Sequence, residues 1–462
     1  MFNYFNFKKY RDKYLITNDF GRYSFLTPFQ LKDLLLNNKR LDDKTDKYLC
    51  ERYFTYSGDI VDFSSGSSFE MLSIKSYLYK STSLHIFVLT SACNQKCVYC
   101  QAHSDTNRPK GFMSKETAKK AVDIAIQSPT EYLDFEFQGG EPLLNFEVLK
   151  YIVDYATSVC NKHINFSLVT NLTLLTDEII NFIVSHNISV STSLDGNPSV
   201  HNTNRPYQDG GDTYSCVAES IKRLRENNIY VSAIQTTTRA SLPYYKEVVD
   251  AYIDLGFHSI FIRPLTPLGC AKEHWKDIGY SALEFTAFYR NILSYIVSKN
   301  CDGYYLDEGH AKIFLTKLLS GSSPNYMELR SPCGAALGQL AYYYDGNVFT
   351  CDEARMLFEM GDGSFCVGNV NCSDYNSIID SKISALVSKS SVLESLPSCS
   401  DCVYQPYCGV CPVINYAVNN SVYENAPHEY RCRIYSGMLD SIFDYFYYND
   451  KAITDVFWSW IE

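Results

Sequence analysis

The sequence has no run of about 18 apolar residues, which excludes a classical membrane-spanning helix. Its first ten residues, Met-Phe-Asn-Tyr-Phe-Asn-Phe-Lys-Lys-Tyr, lack a basic start, an apolar core and a small-residue cleavage site, so no secretory signal is visible. Positive charge is in deficit. Lys and Arg number 41 against 52 Asp and Glu, a formal net charge of −11, which disfavours a nucleic-acid-binding surface. Internal repeats and long low-complexity tracts are absent. Cysteine is scarce at first, with Cys50 alone before residue 93, yet the whole chain holds 17. Without a secretory signal, so many cysteines point to a reducing cytoplasm and to metal binding more than to disulfides.

What is present fits a large folded protein. The 462 residues suggest about three domains, and a hydrophobic fraction of 46% supports a sizeable core. We expect an N-terminal unit over residues 1–80, a central domain over 81–310 and a cysteine-rich domain over 311–462. Lys13 to Thr17 and Tyr23 to Leu26 read as strands around the turn Asn18-Asp19-Phe20-Gly21. Thr27-Pro28 opens a helix with Leu31, Leu34, Leu35 and Leu36. The polar stretch Asp59 to Ser68 reads as a loop. From Leu84 onward, six strands (84–89, 132–137, 165–170, 189–194, 230–235 and 259–263) alternate with amphipathic helices (114–126, 148–160, 177–186, 214–227 and 244–255). Strand-then-helix units in series predict an α/β fold, a parallel sheet curled into a partial barrel. In such folds functional residues gather at the C-terminal ends of the strands. Cys93, Gly139, Thr170, Ser193, Gln235 and Arg263 fall there.

Three cysteines follow the first of these strands: Cys93-Asn-Gln-Lys-Cys97-Val-Tyr-Cys100. Thiolates ligate iron–sulfur clusters, and three on one loop can hold three irons of a [4Fe–4S] cube, leaving the fourth open. A structural zinc is the plainer alternative. The spacing, with Tyr99 at the aromatic position, resembles the radical S-adenosylmethionine (SAM) superfamily. Gly139-Gly140-Glu141-Pro142 is similar to that family's GGEP motif, Thr170-Asn171 to its TN segment, and Ser191-Thr-Ser193-Leu-Asp195-Gly196 to its SxDG element, with Arg205 downstream. The resemblance implies a partial (β/α)6 barrel that binds SAM on the open iron. Tyr99, Gly139, Gly140, Glu141, Thr170, Asn171, Ser193, Asp195, Arg205 and Gln235 would form the cofactor site. It also implies cleavage of SAM to a 5′-deoxyadenosyl radical that takes hydrogen from a substrate, with electrons from a donor such as flavodoxin or ferredoxin.

The C-terminal cysteines run Cys333, then Gly346-Asn-Val-Phe-Thr-Cys351, then Cys399-x2-Cys402-x5-Cys408-x2-Cys411, then Cys432. This looks like the SPASM domain of radical SAM peptide-modifying enzymes, whose usual spacing is C-x2-C-x5-C-x3-C; here the last gap is one residue shorter. The resemblance implies two auxiliary [4Fe–4S] clusters. Cys399, Cys402, Cys408 and Cys432 would hold one. Cys333, Cys351 and Cys411 would hold three irons of the other, with Cys366, Cys372 or a substrate group at the fourth. A zinc ribbon uses similar residues. Asp352, directly after Cys351, matches a proton-accepting Asp of sulfatase-maturing relatives, although an Asp there can equally cap a loop.

The hairpin-then-helix order of residues 1–80 resembles the leader-peptide recognition element of peptide-modifying enzymes, which adds a peptide as a strand. It also resembles the N-terminus of maturases from His-Xaa-Ser peptide systems. A structural cap on the barrel is the plainer reading. His85, His103, His163, His201 and His310 lack metal-ligand spacing. Cys50, Cys160, Cys216, Cys270 and Cys301 read as buried small hydrophobes. The resemblance as a whole implies a radical SAM peptide maturase, an oxidoreductase acting on a ribosomally made precursor and installing a crosslink or related modification. A formylglycine-forming sulfatase maturase and a zinc-bound scaffold module are the alternatives.

Overall fold

A computed structural model of the chain describes residues 1–36, 41–102, 110–423 and 429–462. His103 lies outside the described residues. The N-terminal segment forms an antiparallel sheet in the order β1 (Asn6–Tyr10), β2 (Lys13–Thr17) and β3 (Tyr23–Leu26). Helix Pro28–Leu35 follows, closed by a capping box in which Thr27 and Gln30 satisfy each other's backbone N–H groups. Phe5, Ile16, Leu26, Leu31, Leu34, Leu49 and Phe54 form a small core of their own. The stretch expected as a loop at 59–68 is instead part of helix Ile60–Ile74. Asp59 caps it by accepting from the N–H groups of Val61 and Asp62, and the Ser67 hydroxyl satisfies itself on the Phe63 carbonyl 2.8 Å away. Serine content hid a helix whose cap was legible.

The central strands are β4 (Leu84–Val88), β5 (Tyr132–Gln138), β6 (His163–Val169), β7 (Ser189–Ser193), β8 (Val231–Thr236) and β9 (Ser259–Arg263), joined at the far edge by the short β10 (Asp307–Glu308). All are parallel and adjacent in chain order. Every expected strand and helix of this region is present within one or two residues. On the other side of β4 the sheet continues through β11 (Gln339–Tyr342), β12 (Asn347–Phe349) and β13 (Cys366–Asn369). Because β11 pairs parallel to β4 and β12 and β13 run antiparallel, the C-terminal cysteines are wired to the barrel by ladder hydrogen bonds.

The strands alternate in burial with period two. In β5 Leu133, Phe135 and Phe137 are fully buried, whereas Asp134, Glu136 and Gln138 are half-buried. β7 and β8 repeat the pattern with Val190 and Thr192, then Val231, Ala233 and Gln235, on the buried face. One face of each strand therefore supplies core and the other a more polar inner surface. Helices Lys115–Ala125 and Phe146–Val159 bury Ala121, Val122, Leu149, Ile152 and Val153 in the same core. Of the cysteines expected inside, Cys270 is buried and Cys160 and Cys216 are half-buried, but Cys50 and Cys301 are exposed. Both are the last residues of their helices, Asp43–Cys50 and Ala282–Cys301, where packing stops. No helix of the described residues is long and apolar enough to cross a membrane.

Candidate active site

The last inward residues of five successive strands, Gln138, Val169, Ser193, Thr236 and Arg263, meet at one end of the barrel and line a cavity of about 240 Å³ that opens to solvent. Cys93, Cys97 and Cys100 line the same cavity, with Gly139, Gly140, Thr170, Asn171, Tyr99 and Arg205. The expected residues Glu141, Asp195 and Gln235 stand behind this lining. Gln235 is fully buried on the opposite face, accepting from Thr237 Oγ1 at 2.8 Å, and the neighbouring Thr236 lines the cavity in its place.

The cysteine loop is held by β5. Gly140 N donates to Thr90 O and Glu141 N to Ala92 O, both at 2.8 Å. A Cβ on Gly139 would stand 2.6 Å from Thr90 O, and one on Gly140 would overlap the Ala92 carbonyl. Two glycines are needed because two backbones touch here. Glu141 is fully buried, and its carboxylate accepts from Leu143 N (3.0 Å), Thr170 Oγ1 (2.7 Å) and Asn171 N (2.8 Å). It braces the two segments expected to form the cofactor site and lies behind the cavity wall. Asn171 in turn donates to Asn94 Oδ1 at 2.9 Å and reaches Cys93 Sγ at 3.8 Å.

Behind the cysteines lies a buried charged chain. Arg205 Nη1 donates to Tyr99 OH at 2.7 Å, Tyr99 donates to Asp195 Oδ2 at 2.8 Å, and Asp195 Oδ1 accepts from Thr236 N at 3.2 Å. Burial pushes the Cys93 and Cys97 thiols up, Cys97 to about 12, while the Arg205 charge pulls Cys97 back. The three thiols act on one another's charge as well. Cys93 and Cys97, both pushed up, ionise more readily once a positive group sits beside them. Gln95, within the loop, has its Nε2 buried without a partner, a donor facing no acceptor of the protein. Among the described residues, no three His, Cys, Asp or Glu side chains converge as ligands of a single metal ion do.

The opposite wall comes from helix Asp352–Glu359, which contributes Arg355 and Met356. Asp352 Oδ1 accepts from Arg355 Nε at 3.0 Å and pairs with its Nη2. Arg355 is 1% exposed, and its Nη1 has no partner. Beside them, Gln138 Nε2 donates to Glu136 Oε1 at 2.5 Å. Burial, with the Asp352 charge adding to it, pushes the Glu136 carboxyl up to about 7. Sequence reasoning singled out Asp352 but passed over Glu136, Gln138 and Arg355. The alternating Glu136-Phe137-Gln138 before Gly139 was the signal for the first two. Arg355 carried none, since an Arg on a short helix is ordinary.

The C-terminal cysteines form two groups. Cys333, Cys351 and Cys411 are buried and share one electrostatic field. Cys402 and Cys408 influence each other, and Cys399 joins them through a turn in which Cys402 N donates to Cys399 O at 3.1 Å. Cys432 lies in the first turn of helix Tyr430–Tyr448, next to Arg431, whose charge reaches Cys333, Cys408 and Cys411. Cys366 donates to Gly368 O, and Cys372 is exposed and donates to Asn369 O. The N-terminal sheet grips the second group: Asn6 Nδ2 donates to the Ser400 and Cys402 carbonyls, each at 3.1 Å, and Thr17 Oγ1 to Val403 O at 2.7 Å.

Comparison with known proteins places these features. The profile described as the Radical SAM superfamily matches residues 87–240. An uncharacterized protein of Methanocaldococcus jannaschii is 28% identical over 288 residues, spanning 62% of this chain and 88% of that one. The cysteine-type anaerobic sulfatase-maturating enzyme of Clostridium perfringens is 26% identical over 282 residues, 58% of this chain and 74% of that one. The radical SAM cyclopropyl synthase TigE of Paramaledivibacter caminithermalis is 24% identical over 314 residues, 62% and 61%. Among solved structures, native anSMEcpe with bound AdoMet superposes with a TM-score of 0.68 at 22% identity, covering 81% of this chain and 99% of that one. Streptococcus suis SuiB bound to precursor peptide SuiA gives 0.57 at 13%, covering 91% and 98%. The fold is theirs. The chain carries a radical SAM domain over residues 87–240, built around the Cys93, Cys97 and Cys100 loop.

Proposed function

We propose that this chain is an enzyme that binds a [4Fe–4S] cluster on Cys93, Cys97 and Cys100 and SAM in the adjoining cavity, and abstracts hydrogen from a residue of a ribosomally made precursor peptide. The observation that carries the reading is the convergence of three thiols, two glycines in backbone contact and five strand ends on one cavity. The residues fit the group. Three thiols leave one corner of a cube open, and Gln95 Nε2 offers an unused donor beside them. When bound, cluster and SAM together supply a 5′-deoxyadenosyl radical for hydrogen abstraction.

The chain's own residues do the positioning. Gly139 and Gly140 let the end of β5 approach the cysteine loop. Thr170, Ser193 and Arg205 present polar groups to the methionine end of SAM, with Asp195 and Tyr99 fixing the guanidinium. Glu141 and Gln235 stiffen the wall from behind. Asp352, oriented by Arg355, accepts a proton from the substrate. Cys399, Cys402, Cys408 and Cys432 hold one auxiliary [4Fe–4S] cluster, and Cys333, Cys351 and Cys411 three irons of another. Residues 1–80 serve as the leader-binding unit, 81–310 as the barrel and 311–462 as the SPASM segment. A reducing cytoplasm and a flavodoxin- or ferredoxin-type donor complete the reading. The reach of the SuiB likeness over 91% of the chain supports a precursor peptide as substrate.

Sulfatase maturation is the second reading, favoured by the Clostridium perfringens relative and by Asp352 following Cys351. The deciding experiment incubates anaerobically reconstituted protein with SAM, reductant and, separately, precursor peptides encoded beside the gene and a sulfatase-derived Cys peptide. A mass change in a precursor peptide supports the proposal. A change confined to the sulfatase peptide transfers the assignment, and zinc without iron or sulfide removes both in favour of a scaffold module.

A further inference from the structure

The wall opposite the cysteine loop comes from helix Asp352–Glu359, which strands β11 and β12 and helix Pro412–Asn419 hold in place. Arg355 and Met356 are its contribution to the cavity lining. Arg355 is 1% exposed, and a guanidinium so far from water is costly unless its donors are met. It presents five N–H groups in a planar fork. Nε donates to Asp352 Oδ1 at 3.0 Å, Nη2 pairs with the same oxygen, and Nη2 also reaches Gln138 Oε1 at 3.5 Å. Nη1 is left without a partner.

The plane of the guanidinium fixes where Nη1 lies. Nε and Nη2 form the edge turned toward Asp352, so Nη1 is on the side turned away from it. Arg355 lines the cavity and Asp352 does not, so the side that reaches the lining is the one carrying Nη1. No protein atom of the wall supplies its acceptor. The acceptor comes from what fills the cavity.

The surrounding charges select its chemistry. Asp352 already balances the Arg355 charge. Glu136 is held on the other side of Gln138, whose Nε2 donates to it at 2.5 Å. A further carboxylate at Nη1 would add unbalanced negative charge in a buried place. A neutral oxygen fits, and the amide carbonyl is the neutral acceptor that a peptide carries at every residue. The carboxylate of SAM, in the reading above, is met by Arg205 on the cysteine side.

We infer that Arg355 is a substrate-binding residue whose Nη1 donates to a backbone carbonyl oxygen of the peptide, at or next to the residue that loses hydrogen. This deepens the peptide reading and rests on it. One guanidinium then serves two surfaces: one edge fixes Asp352, and the opposite side fixes the peptide backbone relative to it. A contact to the backbone positions the chain without selecting its side chain.

The test uses whichever peptide, precursor or sulfatase-derived, gains a mass change with the reconstituted full-length protein. A series of that peptide carries a thioamide in place of one backbone amide, at the modified residue and at each neighbour, because sulfur is the poorer acceptor. In the parent, kcat/KM should fall at one position of the series. Arg355→Met should lower kcat/KM for the all-amide peptide by about 10-fold or more, and the thioamide that slowed the parent should cost this variant nothing further. If Arg355 only orients Asp352, the thioamide penalty persists in the variant, and that result overturns the inference. A fall in SAM affinity as large as the fall in kcat/KM would assign the contact to SAM and overturn it as well. Arg355→Gln, which keeps a donor for Asp352, replaces Arg355→Met if the latter fails to fold by circular dichroism. If both fail, the parent decides alone: a kcat/KM unmoved at every position overturns the inference. The two levels stay separate. No mass change in either peptide with the iron fully loaded sinks the peptide reading and Arg355 with it, whereas a modified peptide with an undiminished thioamide penalty in Arg355→Met sinks Arg355 alone.

Discussion

The two cysteine regions are built in opposite ways. Cys93, Cys97 and Cys100 sit on one eight-residue loop, and the barrel needs only to press two glycines against it. Cys333, Cys351 and Cys411 come from three segments spread over 79 positions and are brought near one another because β11 pairs with β4 and helices Asp352–Glu359 and Pro412–Asn419 pack together. A local loop can adopt its shape with little help, because closing a short loop costs little entropy. A dispersed group exists only in the folded chain. The first region should therefore fail through chemistry when altered, and the second through chemistry and assembly together.

That contrast can be broken by substitution. The largest expected effect, apart from loss of the first thiols, is that of Cys402→Ala: peptide modification should stop while SAM cleavage persists in part, read by mass spectrometry and 5′-deoxyadenosine formation on the same sample. Equal loss of both would mean that the second region serves folding alone. Gly140→Ala comes next. Its Cβ would overlap the Ala92 carbonyl, so the loop must shift at a cost of about 1–3 kcal/mol, and both the melting temperature and SAM affinity should fall. Unchanged SAM affinity would show that the glycine contact does not shape the cofactor site. Arg355→Met removes a buried guanidinium that orients Asp352. Peptide turnover should drop by about 10–100-fold, the worth of a charged hydrogen bond, with SAM cleavage less affected.

The smallest effect is a pH dependence. Burial holds His85, His201 and His310 neutral, with pKa values down to about 3 against an ordinary 6.5. Below pH 6.5 the unfolded chain takes up protons that the folded chain refuses. Stability is thus fully present above 6.5 and is lost as pH falls toward 3, by about 1.4 kcal/mol per histidine per pH unit. His85, between Phe135 and Tyr342 with Nδ1 3.0 Å from Tyr342 OH, is the cleanest to replace. Denaturant titrations of His85→Gln at pH 6.5 and 5.5 should show a shallower loss than the parent, and equal slopes would contradict the assignment.

The same contrast explains what the sequence revealed. The six barrel strands and the first cysteine loop were legible because period-two burial and a spaced motif are local signals. That Thr236 rather than Gln235 faces the cavity was not legible, because strand ends alternate faces and the sheet's curl decides which face looks inward. The helix over Ile60–Ile74 was hidden by its serines. Arg355 could not be found, since its meaning comes from a helix whose partner lies about 60 residues further along. Strands β11 to β13 were missed because they are short and their partner is β4, some 250 residues earlier.

The central claim is that the Cys93, Cys97 and Cys100 loop carries a cluster with one corner open to SAM. Its most direct test is the quantity of 5′-deoxyadenosine formed by the anaerobically reconstituted chain with SAM and dithionite, beside the Cys97→Ala variant. The account predicts steady formation by the parent and none above background in the variant. Formation at equal rates in both, or in neither with the iron fully loaded, would contradict it.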